Sequence, residues 1–153
     1  MINEVEFPLD ADGFLRRECP SCEQVFKWHH GKTDDAPEDF EYPGNYWCPR
    51  CGQPAGPESW WTPEQLDYLE LVQNVAVHDA VSEAMGGFSK PRRNSAIRIE
   101  VTTSPRPGMP DPLVEPDDMD VIAPPCHAWE PVKVPEESEP PYFCLVCGTE
   151  YRA

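Results

Sequence analysis

The sequence has no long apolar run and is poor in apolar residues altogether. Of its 153 residues, 39% are hydrophobic, whereas an average globular domain has about 45–50% by a similar count. No stretch approaches the length of about 20 apolar residues that a membrane-spanning helix requires. The N-terminal segment 1–6 has neither the basic region nor the apolar stretch of a secretory leader. We therefore expect no membrane partner and a cytoplasmic location.

Positive charge is scarce as well, with 12 Lys and Arg against 28 Asp and Glu and a net charge of −16. Such a chain repels phosphate backbones at long range and favours a protein partner with a basic surface, or simply solubility. One basic strip, over residues 90–98, keeps nucleic-acid binding open as an alternative function. Its cations are Lys90, Arg92, Arg93 and Arg98. Arg16 and Arg17 would add to them.

Motifs for catalysis are missing too. The sequence has no phosphate-binding glycine loop, no nucleophile elbow and no ligand pattern of the zinc deaminases. The many carboxylates are scattered through predicted loops, where they are solvated charges. We expect that the protein is not an enzyme.

The 20 prolines, which crowd the second half of the chain, argue against a large continuous core. Small cores commonly need an additional stabiliser, and structural metal is one of the usual ones. The spacing of the seven cysteines is consistent with such metal sites. Six of them form three Cys-x-x-Cys motifs and the total is odd, which favours metal binding in a reducing compartment over disulfides.

Two Cys-Pro-x-Cys motifs supply the first predicted ligand set, called site 1 here. It consists of Cys19, Cys22, Cys48 and Cys51. Four thiolates at this spacing are typical of a tetrahedral metal ion. Residues 12–56 resemble the zinc-ribbon family, in which two such knuckles lie at the tips of two β-hairpins. The resemblance implies Zn²⁺ at this site and is unspecific for function.

A second resemblance gives an alternative for site 1. Segment 40–52 is similar to the second half of rubredoxin, a small electron carrier that binds iron through four cysteines. The resemblance implies iron at site 1 and a redox role. Glu23, which follows Cys22, departs from this family, because rubredoxins carry glycine there.

The remaining cysteines and one histidine form the second predicted ligand set, called site 2. It consists of Cys126, His127, Cys144 and Cys147. Three thiolates and one imidazole suit zinc better than an iron–sulfur cluster, so we expect two Zn²⁺ ions per chain. If His127 does not bind the metal, Glu130 is the alternative ligand. The other alternative is that Cys126 is a buried thiol and the site is incomplete.

A helix is predicted from Pro63 to about Met85. Thr62 can cap its N-terminus, Pro63 fits its first position, and Gln65 completes a capping box. Strands are predicted over 95–102 and 132–134. The expected fold is small, metal-stabilised α+β, with two zinc-ribbon-like β-hairpin units flanking this one long central helix.

The predicted organisation has four parts, and the central helix separates the first from the rest. They are an N-terminal zinc ribbon over 1–61, the helix over 62–87, a strand and proline-rich linker over 88–118, and a C-terminal zinc-knuckle unit over 119–153. The predicted function is a structural zinc-binding adaptor for protein–protein interaction. Trp60, Trp61 and Trp129 are candidate exposed contacts for the partner, with core packing as the alternative.

Overall fold

A computed structural model describes residues 5–86 and 105–153. In this part of the chain the fold is small α+β, with one α-helix and small antiparallel sheets. The strands are β1 (Phe14–Glu18), β2 (Val25–His29), β3 (Tyr46–Trp47), β4 (Pro54–Ala55), β5 (Met119–Ile122), β6 (Val132–Pro135), β7 (Tyr142–Phe143) and β8 (Glu150–Tyr151). The helix is α1 (Pro63–Gly86), and a 3-10 turn covers Pro125–His127.

The main sheet joins the two ends of the sequence. Its strand order is β1-β2-β6-β5, and Lys27 and Trp28 of β2 pair with Lys133 and Val132 of β6. One compact unit accordingly combines the chain up to Gln65 with Leu113–Ala153, and a second unit covers Leu66–Pro112. Both cysteine-rich segments thus belong to one unit. Local patterns could not reveal this pairing, because β2 and β6 are distant in the sequence.

The two faces of the sheet differ in chemistry, because side chains alternate along each strand. One face carries the buried side chains of Phe26, Val132 and Val134. Trp60 packs against Phe26, with ring centroids 5.8 Å apart, and is fully buried. Of the two interpretations of Trp60, core packing is therefore confirmed and an exposed partner contact is excluded, since this small core needs its bulk.

The other face of the sheet carries cations. Lys27 and Lys133 lie opposite each other in β2 and β6, and both side chains are almost fully buried. Asp10 binds both ammonium groups through Oδ2, at 3.3 Å from Lys27 Nζ and 2.8 Å from Lys133 Nζ. Glu115 and Asp118 add carboxylates at 3.0 and 3.1 Å from Lys27 Nζ. Buried charges of this kind are tolerated only when they are paired.

The helix begins as the sequence predicts. Gln65 N donates to Thr62 Oγ1 at 3.2 Å, and Thr62 N donates to Gln65 Oε1 at 3.0 Å, which is a capping box. Gln65 Nε2 also donates to Arg16 O at 2.9 Å and thereby attaches the helix start to β1. Later in α1, Val72 and Val75 are buried.

Two sequence predictions fall on residues 87–104 and lie outside the described part of the chain. They are the strand over 95–102 and the basic strip over 90–98. No helix among residues 5–86 and 105–153 has the length and apolar character needed to cross a membrane.

Candidate metal centres

All three Cys-x-x-Cys motifs form the same tight turn. We call them knuckle 1 (residues 19–24), knuckle 2 (48–53) and knuckle 3 (144–149). In each, the first cysteine donates its N–H to the carbonyl five residues later, at 3.1, 3.0 and 2.9 Å. The residue four positions later donates back to the carbonyl of that cysteine, at 3.0, 2.8 and 2.8 Å. The same backbone geometry thus presents the paired sulfurs in all three places.

Knuckle 1 forms this turn without the usual glycine. Gly52 and Gly148 end the turns of knuckles 2 and 3 at φ values of 76° and 75°. Glu23 occupies the matching place in knuckle 1 at φ 59°, where a side chain is sterically unfavourable. The departure from the rubredoxin pattern therefore leaves the turn intact.

The four sulfurs of site 1 fit a tetrahedral ion. Ligands at about 2.3 Å from a tetrahedral zinc lie about 3.8 Å from one another. The Cys19 and Cys51 sulfurs are 3.7 Å apart, and those of Cys22 and Cys48 are 3.8 Å apart. A disulfide needs about 2.05 Å, and all seven cysteines are free. The residues of site 1 thus fit the metal that the sequence implies.

Site 2 brings its four predicted ligand atoms within 4.8 Å of one another. The 3-10 turn Pro125–His127 directs the neighbouring side chains of Cys126 and His127 to one point. Cys126 Sγ is 3.6 Å from Cys147 Sγ, and His127 Nδ1 is 3.5 Å from Cys144 Sγ. Zinc–sulfur and zinc–nitrogen bonds of about 2.3 and 2.05 Å imply a nitrogen–sulfur separation of about 3.5 Å. These residues also fit zinc.

The two alternatives for site 2 have different places in the structure. Glu130 is not among the clustered ligands; its side chain is buried, and its N–H donates to His127 O at 2.9 Å. Glu130 therefore supports the turn that presents His127. Cys126 is exposed rather than a buried thiol.

Backbone donors and burial set the charge of the thiols. At Cys19, burial opposes the thiolate, but hydrogen bonds from the N–H groups of Cys22 and Ser21 and from neighbouring thiols together outweigh it and lower the pKa. Burial raises the pKa of Cys22 to about 11 and that of Cys144 to about 12. Without a metal these groups hold protons, which an incoming cation must displace.

The sites differ in their access to solvent. In site 1, Cys19 and Cys48 are buried, and their partners are half-buried. In site 2 only Cys144 is buried, while Cys126 and Cys147 are exposed. The Thr149 hydroxyl lies 3.1 Å from Cys147 Sγ and was not among the predicted site residues. Its sequence signal is a hydroxyl residue two positions after the last cysteine.

The two described arginines of the nucleic-acid alternative are already engaged. Arg16 binds Glu115 at 3.0 Å and Asp118 at 2.7 Å. Arg17 is buried, with its guanidinium carbon 4.3 Å from the centroid of the Trp28 ring and 4.5 Å from that of the Trp61 ring. Arg16 is thus neutralised by carboxylates and Arg17 is buried against aromatic rings, so neither offers an accessible cation to a phosphate.

Comparison with known proteins returned no matching family model, no similar curated protein and no similar solved structure. The interpretation of both sites therefore rests on the identity and the spacing of their ligand atoms. These features indicate a metal-binding structural role.

Proposed function

We propose that this chain is a structural zinc-binding module that presents a surface for another protein. The observation that carries the proposal is the spacing of the ligand atoms, 3.7 and 3.8 Å at site 1 and 3.6 and 3.5 Å at site 2. Knuckles 1 and 2 would form one zinc-ribbon-like unit. Knuckle 3, with the turn Pro125–His127, would form the other.

The energetics favour a structural role for the metal. A structural zinc site supplies apparent binding free energy of about 10–16 kcal/mol, whereas a whole domain is commonly stable by about 5–15 kcal/mol. Cys19, Cys48 and Cys144 belong to the same buried core as Trp60, so metal binding and core packing would stabilise the same region. Four thiolates at site 1 leave no position for a reacting water, which supports a non-enzymatic function.

Metal content tests this proposal. Protein purified without added metal should contain two zinc ions per chain by elemental analysis. His127→Ala should reduce the content to one, because site 2 loses a ligand. His30→Ala is the matched control and should keep both ions, since His30 lies outside both ligand clusters. Iron in place of zinc, with a reversible visible redox band, would instead favour the rubredoxin-like electron carrier.

The proposed partner is a protein with a basic surface. In the described part of the chain, Lys27, Lys133 and Arg16 are paired with carboxylates inside the fold. Other carboxylates, such as Glu136 and Glu137 after β6, are exposed. These three cations are therefore not available at the surface to neutralise exposed carboxylates, and the net charge of the chain is −16. Complementary charge would therefore guide the encounter with a basic partner.

Two probes separate this proposal from nucleic-acid binding. Titration with polylysine and with a single-stranded DNA oligonucleotide at low salt should give binding to the polycation alone. Binding to DNA that is lost in Arg92→Ala plus Arg93→Ala would favour the alternative that uses the basic strip. Both experiments need zinc-loaded protein, so that unfolding of the knuckles does not change the result.

A further inference from the structure

Knuckles 2 and 3 belong to different metal sites, yet they bind each other reciprocally. Trp47 N donates to Leu145 O at 3.0 Å, and Phe143 N donates to Pro49 O at 2.9 Å. Trp47 and Phe143 each precede the first cysteine of their knuckle, and Pro49 and Leu145 each follow it. The two hydrogen bonds are thus equivalent under exchange of the knuckles, which is the signature of a local two-fold axis.

The side-chain contacts between knuckles 2 and 3 are reciprocal in the same way as the hydrogen bonds. A Cβ atom added to Gly52 would lie 2.9 Å from the ring of Phe143, and one added to Gly148 would lie 2.6 Å from the ring of Trp47. Each knuckle therefore places an aromatic ring on the glycine that closes the other knuckle's turn. Such close approach of an aromatic ring to backbone requires glycine.

The contacts connect the two metal sites without sharing a ligand. Site 1 uses the sulfurs of knuckle 2 and site 2 uses those of knuckle 3. A metal that fixes knuckle 3 also fixes the carbonyl of Leu145 and the ring of Phe143, on which knuckle 2 depends. The second metal then binds a chain whose ordering is already partly complete, and this lowers the entropic cost of its binding.

We propose that the two metal sites are thermodynamically coupled through the pair of knuckles, so that zinc at either site raises the affinity of the other. The inference rests on the proposed structural role of zinc. Because Cys126 and Cys147 are exposed, site 2 exchanges its metal first, and its loss weakens site 1. The folded state of the scaffold then follows available zinc over a narrow concentration range.

Site-resolved metal titration tests the coupling. Cobalt(II) in competition with a chelator distinguishes the four-thiolate site from the three-thiolate, one-imidazole site by their visible absorption. Cys126→Ser plus Cys147→Ser removes site 2 and should lower the cobalt affinity of site 1 by about tenfold or more, within the range typical of coupled sites. Cys19→Ser plus Cys22→Ser removes site 1 through knuckle 1, and should weaken site 2 by the same factor, because coupling is reciprocal.

A variant that keeps every ligand tests the route of the coupling. Gly148→Ala displaces the Trp47 ring and should weaken cobalt binding at site 1, although Gly148 lies in the knuckle of site 2. Gly31→Ala is the matched control, because Gly31 also has a positive φ, of 82°, but no atom lies within 4 Å of an added Cβ. It should leave both affinities unchanged.

The outcomes distinguish failure of the coupling from failure of the proposed function. If site 1 keeps its affinity within twofold when site 2 is removed, the coupling is refuted while two structural sites remain. The same holds if Gly148→Ala affects only site 2. If the unaltered chain binds neither cobalt nor zinc, the proposed function itself fails.

Discussion

Replacing Asp10 by asparagine removes a carboxylate that two buried lysines share. Asp10 Oδ2 accepts hydrogen bonds from Lys27 and Lys133, and its Oδ1 accepts from the backbone N–H groups of Asp12 and Phe14, both at 3.0 Å. Asparagine keeps the size of the side chain and an oxygen for the backbone donors. It removes the negative charge from between two ammonium groups that face each other across the sheet.

The expected cost is about 3 kcal/mol of unfolding free energy. Removing one partner from a buried ion pair usually costs about 3–5 kcal/mol, because it leaves an uncompensated buried charge. Here Lys27 keeps Glu115 at 3.0 Å, and Lys133 keeps Asp12 at 2.7 Å. These retained partners place the loss at the lower end of that range.

Guanidinium denaturation of zinc-loaded protein, followed by tryptophan fluorescence at a fixed excess of zinc, measures this cost. Asp12→Asn is the matched control, since Asp12 binds the same Lys133 but its carboxylate side chain is 64% exposed. An exposed ion pair contributes at most about 1 kcal/mol. If Asp10→Asn cost no more than Asp12→Asn, burial would not govern this network and the reasoning would be refuted.

The pH dependence of the difference in unfolding free energy between the wild type and Asp10→Asn is a second test. Burial favours the protonated form of Asp10, but hydrogen bonds from Lys133, Phe14, Asp12 and Lys27 outweigh it and lower the pKa to about 2. A lowered folded-state pKa gives stability that is present above the unfolded pKa, near 3.8, and is lost as pH falls towards 2. The stability difference between the wild type and Asp10→Asn should therefore be constant from pH 5 to 8. A change of this stability difference with pH between 5 and 8 would contradict the conclusion that Asp10 is fully ionised there.

Three further predictions concern a knuckle turn, the helix cap and the metals. Glu23→Gly should raise the unfolding free energy by about 0.5 kcal/mol, since relief of the left-handed backbone, about 1–2 kcal/mol, exceeds the added chain entropy, about 0.5–1 kcal/mol; a loss of stability in denaturation would contradict it. Thr62→Ala should cost about 1 kcal/mol, because Gln65 N loses its capping acceptor, and an unchanged midpoint would exclude this role of the hydroxyl. A strong chelator should abolish the near-ultraviolet circular dichroism of buried Trp60, and retention of that signal would show that metal is dispensable for the core.

The sequence predicts well those features that depend on residue identity at short range. Metal ligation requires ligand atoms at fixed separations, so the cysteine spacing indicated site 1, and the three remaining cysteines with the adjacent His127 indicated site 2. The capping box likewise depends on two side chains three residues apart, Thr62 and Gln65, and both of its hydrogen bonds are present. The strand predicted over 132–134 is present as part of β6.

Features that depend on distant pairing were not predicted. Composition assigns lysine to the surface, so nothing local indicates that Lys27 and Lys133 are buried partners. Their burial follows from the pairing of β2 with β6 and from carboxylates supplied by Asp10 and by segment 115–118. The reciprocal contact of knuckles 2 and 3 has a weak signal, an aromatic residue before and a glycine after each Cys-x-x-Cys motif. That pattern acquires meaning only once the two loops are seen together.

The low apolar content explains why predicted metal sites and buried ion pairs occur together in one unit. A four-stranded sheet has two faces to cover, and an apolar cluster that includes Phe26 and Trp60 covers the face that is continuous with buried cysteines of the metal sites. The opposite face is covered by ion pairs instead, centred on Asp10. Breaking a buried ion pair is costly although the intact pair adds little net stability, so we expect these pairs to fix the strand register and the proposed metal to supply most of the free energy of folding. Loss of zinc should therefore abolish folding even where every ion pair is retained, whereas Asp10→Asn should weaken a scaffold that still binds both metals.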